Sequence, residues 1–311
     1  MKIVYIPRKF KGLQLRLIDM ADEIIVDYLR DGYNLTLRQL YYQFVRRDWL
    51  PEEWYCEKAG STNNVKSYKK LGDLLSNARD AGLVDWLAIV DRSRGSVGFP
   101  SWDSPKSIVR ACADQYQIDL WEDQPYDVSV WVEKDALSDI IEKGCEGART
   151  RYMACKGYLS ASAAWRAGQA AMRASRQGKI PVFIHLGDHD PSGIDMSRDN
   201  AERISLYSGL SRGEFIFKRI ALTIDQVREY DPPPNPAKPK DSRSPEYIER
   251  YGRQCWELDA LEPRVLVDLV QSEIDKYIDK KLWEASLEEE RSQKAELVDV
   301  ADNWEHILSQ M

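Results

Sequence analysis

The stretch IPVFIHLGDHDPSG, residues 180–193, constrains the fold more than any other: an apolar run stops at glycine, two aspartates and proline. A short run of Val, Ile, Phe and Leu bounded by turn residues reads as a strand buried on both faces. Such a strand needs helices above and below it. The neighbouring sequence supplies them. YDVSVWVE (126–133), RTRYMAC (149–155) and EFIFKRIAL (214–222) read as further strands, alternating with the helical patterns DALSDIIEKG, SASAAWRAGQAAMRASRQG and PSGIDMSRDNAERISLYSG. Ser160 is placed to cap the second helix and Gly178 to stop it. The alternation predicts a parallel, Rossmann-like sheet covered on both sides.

The first hundred residues follow a different pattern. Leu13, Leu17, Ile18, Ala21 and Ile25 lie on one face of a helix over 13–30, and Asp31-Gly32 turns the chain. Thr36 with Gln39 forms a capping-box signature for a second helix. Val65, Tyr68, Leu71, Leu75 and Ala78 form the inward face of a third over 65–81, stopped by Gly82. DWLAIVD (85–91) reads as a strand, followed by a turn-rich loop. Three helices, a strand and a loop predict a winged-helix (CAP-like) domain over 1–110. The Rossmann-like domain then takes 111–311, with an extended proline-rich excursion at 231–245 and a long charged helix from about 264.

Composition excludes some classes. No apolar run approaches the roughly 18 residues that cross a bilayer, and MKIVYIPRKFKGLQ lacks a signal-peptide core. Five scattered cysteines without a CxxC pair argue against a zinc knuckle and fit a reducing cytoplasm. Net charge is −7, but residues 1–110 hold 18 Lys+Arg against 14 Asp+Glu. A basic docking face in that half is compatible with an acidic remainder, because salt screens fields beyond about 10 Å.

Candidate chemistry sits in two places. On a helical wheel of about 100° per residue, Tyr41 falls within the apolar arc of Leu37, Leu40, Phe44 and Val45, and Tyr42 falls on the polar side. Arg38 and Arg46 flank Tyr42 one turn away on either side. Guanidinium groups favour a phenolate and hold phosphates, so Tyr42 reads either as an amphipathic surface phenol or as a nucleophile. Glu133, Asp188 and Asp190 end two strands of one parallel sheet, at the edge where such folds bind ligands. Carboxylates crowded there call for a hard cation, Mg²⁺ or Mn²⁺. Alternatively, Asp190 before Pro191 caps the next helix and Glu133 is a solvated strand end. His189 alternates away from both aspartates. Lys134 and Lys156 are candidates for phosphate contact, as are Arg92 and Arg94 in the loop after 91.

WVEKDAL followed by HLGDHDPSG resembles the Toprim domain of topoisomerases, primases and some nucleases. TLRQLYY, ACKGYLSASAAW, ALTIDQVREYDPPPNPAKPKDSR and CWELDALEP, in that order, resemble segments of topoisomerase VI A subunits and the meiotic double-strand-break protein. The likeness spans roughly residues 30–270, and the short length resembles the stand-alone Mini-A branch. The resemblance implies a type IIB topoisomerase-like, DNA-cleaving homodimer, an isomerase found on the nucleoid in the cytoplasm. Tyr42 would form a 5′-phosphotyrosyl link with duplex DNA, assisted by Arg38 and by Mg²⁺ on Glu133, Asp188 and Asp190 of the partner chain. Glu257 falls in the family's C-terminal element. ATP hydrolysis would belong to a separate GHKL-type B subunit, because neither a GxxxxGK[ST] loop nor a DxGxG motif is present. Gln39 stands where the family has aspartate, and Leu159 where it has proline. Two alternatives are a hydrolytic Toprim nuclease using water and a non-catalytic winged-helix DNA-binding protein.

Overall fold

Local signals shape the helical half. In the computed structural model, which describes residues 1–90, 101–236 and 241–310, α1 (Gly12–Arg30) buries Leu17, Ile18, Ala21, Ile24 and Ile25. Gly32, at φ +75°, then turns the chain. Helix α2 (Leu37–Arg46) begins at the expected capping box: Gln39 N–H donates to the Thr36 hydroxyl at 3.3 Å, and the Gln39 side chain accepts from the Thr36 N–H at 2.7 Å. Asn64 caps α3 (Val65–Asp80), and Gly82 at φ +71° follows its end. The three helices share one core containing Leu40, Tyr41, Phe44, Leu71 and Leu75. At about 1.5–3 kcal/mol per buried side chain, that core dominates the stability of this half. Leu13 and Val65, read as inward, are exposed, because each lies in a first helical turn that overhangs the core.

The strand expected over 85–91 does not form across the described residues of that segment. The Asp85 carboxylate accepts from the Leu87 N–H at 2.8 Å, which winds the segment into a turn. Only an isolated bridge, Leu35 to Ile89, remains. Among the described residues this half is a three-helix cluster, and no wing hairpin is present there. Residues 91–100, with Arg92 and Arg94, lie outside the described residues.

After α4 (Pro105–Gln115) the chain alternates strand and helix as predicted: β1 (Tyr126–Val132), α5 (Ser138–Glu146), β2 (Arg151–Ala154), α6 (Ala161–Arg176), β3 (Ile180–Leu186), α7 (Pro191–Ser208), β4 (Ile216–Ala221) and α8 (Ile224–Tyr230). All strands are parallel, in the order β2-β1-β3-β4. Val128, Val130, Val132, Val182, Ile184 and Leu186 face α5 and a C-terminal helix over Pro263–Ile274. Trp131 and Phe183 point the other way, into a second core with residues of α6 and α7. Strand order reverses between β1 and β3, so their carboxyl ends form the switch-point crevice of an open α/β sheet.

The described part of the excursion pairs β5 (Asn235–Pro236) with β6 (Gln254–Cys255) on either side of α9 (Ser244–Tyr251). The charged tail is not one helix. After α10 (Pro263–Ile274), Asp279 accepts from the N–H groups of Lys281 and Leu282 and starts α11 (Lys280–Asp302) afresh. Helix α11 lies along α4, and α12 (Trp304–Gln310) ends the described chain. No helix among the described residues is long and apolar enough to cross a membrane.

Candidate active site between the two halves

The sheet delivers its carboxylates together. Glu133 continues β1, donating its N–H to Leu186 O at 2.8 Å, and Asp188 and Asp190 follow β3. Glu133 Oε2 accepts from the Asp188 N–H at 2.9 Å. Asp188 Oδ1 accepts from the Leu258 N–H at 2.8 Å, and Oδ2 lies 3.0 Å from Lys134 Nζ. Asp190 caps α7, its Oδ1 accepting from the Gly193 N–H at 2.6 Å and the Ser192 hydroxyl at 2.8 Å. The capping alternative is therefore realised at Asp190, while Oδ2 carries no hydrogen bond among the described residues. Burial, with help from Glu133 and Asp259 and against Lys134, pushes the Asp188 carboxyl up to about 7. Glu133 is shifted upward too, chiefly by burial and then by Asp190.

His189 does point away, as expected. Its Nδ1 lies 2.7 Å from the Tyr247 hydroxyl, its ring packs among Tyr247, Tyr251 and Trp256, and burial pulls it down to about 4.

Two carboxylates from the turn after β6 complete the acidic edge. Lys134, expected to wait for phosphate, is already bound by Asp188, Glu257 and Asp259. Arg38 reaches the same carboxylates from α2, pairing with Glu257 and bringing Nε to 2.9 Å from Asp259 Oδ2. Although burial pushes the Glu257 carboxyl up, Lys134 and Arg38 hold it down to about 2. Arg46 is likewise engaged, by Glu262, and Lys156 lies at the surface 3.1 Å from Asp135.

Tyr42 departs most from expectation. It is 6% exposed, not on the wet face, although it lines a cleft of about 290 Å³ with Arg38, Tyr41, Asn63, Asn64 and Glu257. A wheel treats its helix as isolated; here α2 lies on the turn Leu258–Ala260, and Asn235 covers the phenol. The Arg38 guanidinium is 5.9 Å from the Tyr42 ring centre. Burial and then Glu257 raise the phenol's pKa, against the opposing pull of Arg38 and an Asn235 hydrogen bond. Tyr41 is core, as expected, with its hydroxyl accepting from the Asn64 N–H at 2.9 Å.

No three His, Cys, Asp or Glu side chains among the described residues converge to hold a metal ion as they stand. The donor chemistry nevertheless fits a hard cation, since the groups are carboxylates whose mutual repulsion a cation relieves. Two glycines leave room for the Glu133 carboxylate to lie against the loop that carries both aspartates. A Cβ on Gly187 would lie 2.9 Å from Glu133 Oε2, and one on Gly193 would lie 3.1 Å from it.

Sequence reasoning missed Asn235, Asp259 and Arg219, and left Glu257 without a role. The ELD spacing of CWELDALEP, which repeats the two-residue offset of Asp188 and Asp190, could have flagged Glu257 and Asp259 as a pair. A lone arginine in the strand EFIFKRIAL was the visible sign of Arg219. In comparisons with protein-family models, curated proteins and solved structures, nothing matches this chain.

Proposed function

We propose that the chain is a metal-dependent DNA-cleaving enzyme in which Tyr42 attacks a phosphodiester, as the resemblance to type IIB topoisomerase A subunits implies. One observation carries this reading: Arg38 lies over the Tyr42 ring, 5.9 Å from its centre, and pairs with Glu257 and Asp259 on its other side. Through Lys134 the acidic cluster continues to Asp188. Phenol, guanidinium and the carboxylate edge of the sheet thus form one continuous site.

In this scheme Tyr42 Oη forms a bond to phosphorus, the bond to the 3′ oxygen breaks, and the DNA is left linked through its 5′ phosphate. Arg38 stabilises both the phenolate and the crowded phosphorus. Glu133, Asp188 and Asp190 would hold Mg²⁺ or Mn²⁺, which when bound supplies positive charge for the phosphate and the departing oxygen. Duplex DNA displaces Glu257 from Arg38 and Lys134, freeing both cations for phosphates and uncovering Tyr42. A second chain as homodimer partner and a separate ATPase subunit belong to the same proposal.

The low exposure and raised pKa of Tyr42 favour one rival, hydrolysis by a metal-bound water without a covalent link. Supercoiled plasmid incubated with the protein and Mg²⁺, then denatured in detergent, separates the two. Protein attached to 5′ ends, lost in Tyr42→Phe, supports the tyrosine. Wild-type cutting by Tyr42→Phe establishes the hydrolytic nuclease instead.

A further inference from the structure

Arg219 reaches into the floor of the acidic edge from β4, the strand beside β3. Its Nη1 donates to Gly193 O at 2.9 Å and to the Ser197 hydroxyl at 2.8 Å. Its Nη2 donates to Gly187 O at 2.7 Å and to Asp188 O at 2.6 Å, and more weakly to Leu222 O at 3.3 Å. These carbonyls bracket the loop 187–193 that carries Asp188 and Asp190. Ser197 is tied in turn to His185 Nδ1 at 3.0 Å. A Cβ on Gly187 would crowd Nη1 at 3.2 Å, so the glycine is what lets the fork sit this close.

A guanidinium largely withdrawn from water is costly unless its donors are met and its charge is balanced. The donors of Arg219 are met, but burial still outweighs the neighbouring charges and pulls its pKa down, and carbonyls alone do not offset the charge. The compensating charges are Glu133, Asp188 and Asp190, which lie within electrostatic reach on the other side of the loop. A planar fork bridging two ends of one loop fixes their separation in a way that a flexible ammonium does not.

We infer that Arg219 is a positioning residue for divalent-cation binding: its fork sets the spacing of Asp188 and Asp190 relative to Glu133 by holding the loop carbonyls from beneath. This rests on the metal-site part of the proposed function and adds a residue which touches neither substrate nor ion. Groups that orient ligands in this way typically alter metal affinity by 10–100-fold when changed.

The test is Mn²⁺ binding to the whole chain by titration calorimetry, with melting in EDTA recorded alongside. Arg219→Lys keeps the charge and loses the fork. It is expected to bind Mn²⁺ about 10–100-fold more weakly than wild type while melting in EDTA within a few degrees of it. Ser197→Ala removes one anchor of Nη1 and is expected to weaken Mn²⁺ in the same direction by less. If Arg219→Lys fails to fold, Ser197→Ala decides. Wild-type Mn²⁺ affinity in either folded variant overturns the inference, as does an absence of Mn²⁺ binding by the wild-type chain. Mn²⁺ binding that depends on Arg219, in a protein that never forms a DNA adduct, sinks the reading of Tyr42 as nucleophile and leaves this one standing.

Discussion

Arg38 on α2 is ion-paired with Glu257, a residue 219 positions further along the chain. That contact makes the chemistry of the tyrosine helix depend on a carboxylate from the other half. Burial has the larger influence on the Tyr42 phenol, and Glu257 comes next, acting directly on its charge state. Replacing it with glutamine keeps the shape and removes the charge. Glu257→Gln is therefore expected to lower the pKa of Tyr42, seen by ultraviolet difference titration against the Tyr42→Phe background. An unchanged titration would show that burial alone sets the phenol.

Arg38 is expected to matter more to DNA cleavage than to stability. The pair is part-exposed, so its net stabilisation is limited by solvent screening. Its proposed role at the phosphate is not limited in that way. Arg38→Ala is expected to unfold at a denaturant midpoint close to wild type while DNA cleavage falls about 10²-fold, the usual cost of losing one preorganised donor. A loss of folding that tracks the loss of cleavage would assign the residue to the seam alone.

The Asp188 carboxyl gives the metal-free protein a pH signature. Its folded pKa is raised to about 7 from the ordinary value of 3.8. Between those values the unfolded chain has released a proton that the folded chain keeps, so stability falls as pH rises through this window. The contribution is on the order of a few kcal/mol. Asp188→Asn is expected to flatten the dependence, measured by urea unfolding at pH 4 and pH 8 in EDTA. Adding Mg²⁺ at pH 8 should stabilise wild type and leave the variant unchanged.

What the sequence made legible was local. Thr36 with Gln39, Ser160, Gly82 and Gly178 signal helix ends through bonds spanning a few residues, and they stand where expected. The apolar runs of β1 and β3 identify central parallel strands for the same reason. The misreadings came from competition and from distance. Asp85 diverts the segment DWLAIV into a turn through its own side chain, which an apolar pattern does not reveal. Tyr42 is correctly placed opposite the helical core, but Asn235 and Glu257 arrive from far along the chain to cover it. Arg219 looks like an ordinary polar residue of a strand until the loop it supports is in place.

Helices α6 and α7 offer a test of the sheet's outer layer. A Cβ on Gly168 would lie 2.5 Å from the Tyr207 Cβ and 2.8 Å from its carbonyl carbon. Backbone cannot yield there as a flexible side-chain tip would. Gly168→Ala gains about 1 kcal/mol of helix propensity but forces the helices apart, at about 1–3 kcal/mol. Net destabilisation is expected in urea unfolding, and a stabilised variant would mean the α6–α7 spacing is slack.

Whether one chain or two complete the site decides what mixing variants can do. The family resemblance implies that each tyrosine works with the carboxylates of a partner. Here Arg38, one turn before Tyr42, already binds Glu257 and Asp259 of its own chain, and Asn63 donates to Asn235 at 2.9 Å across the same seam. An arrangement built within one chain cannot be rescued by mixing. Tyr42→Phe protein combined with Asp188→Ala protein should therefore nick plasmid no faster than either alone, after co-refolding to allow exchange. Recovered nicking would require that DNA binding part the seam and let α2 dock on the acidic edge of a second copy. The bonds from Arg38 to Glu257 and from Asn63 to Asn235 would then be the contacts broken on the way.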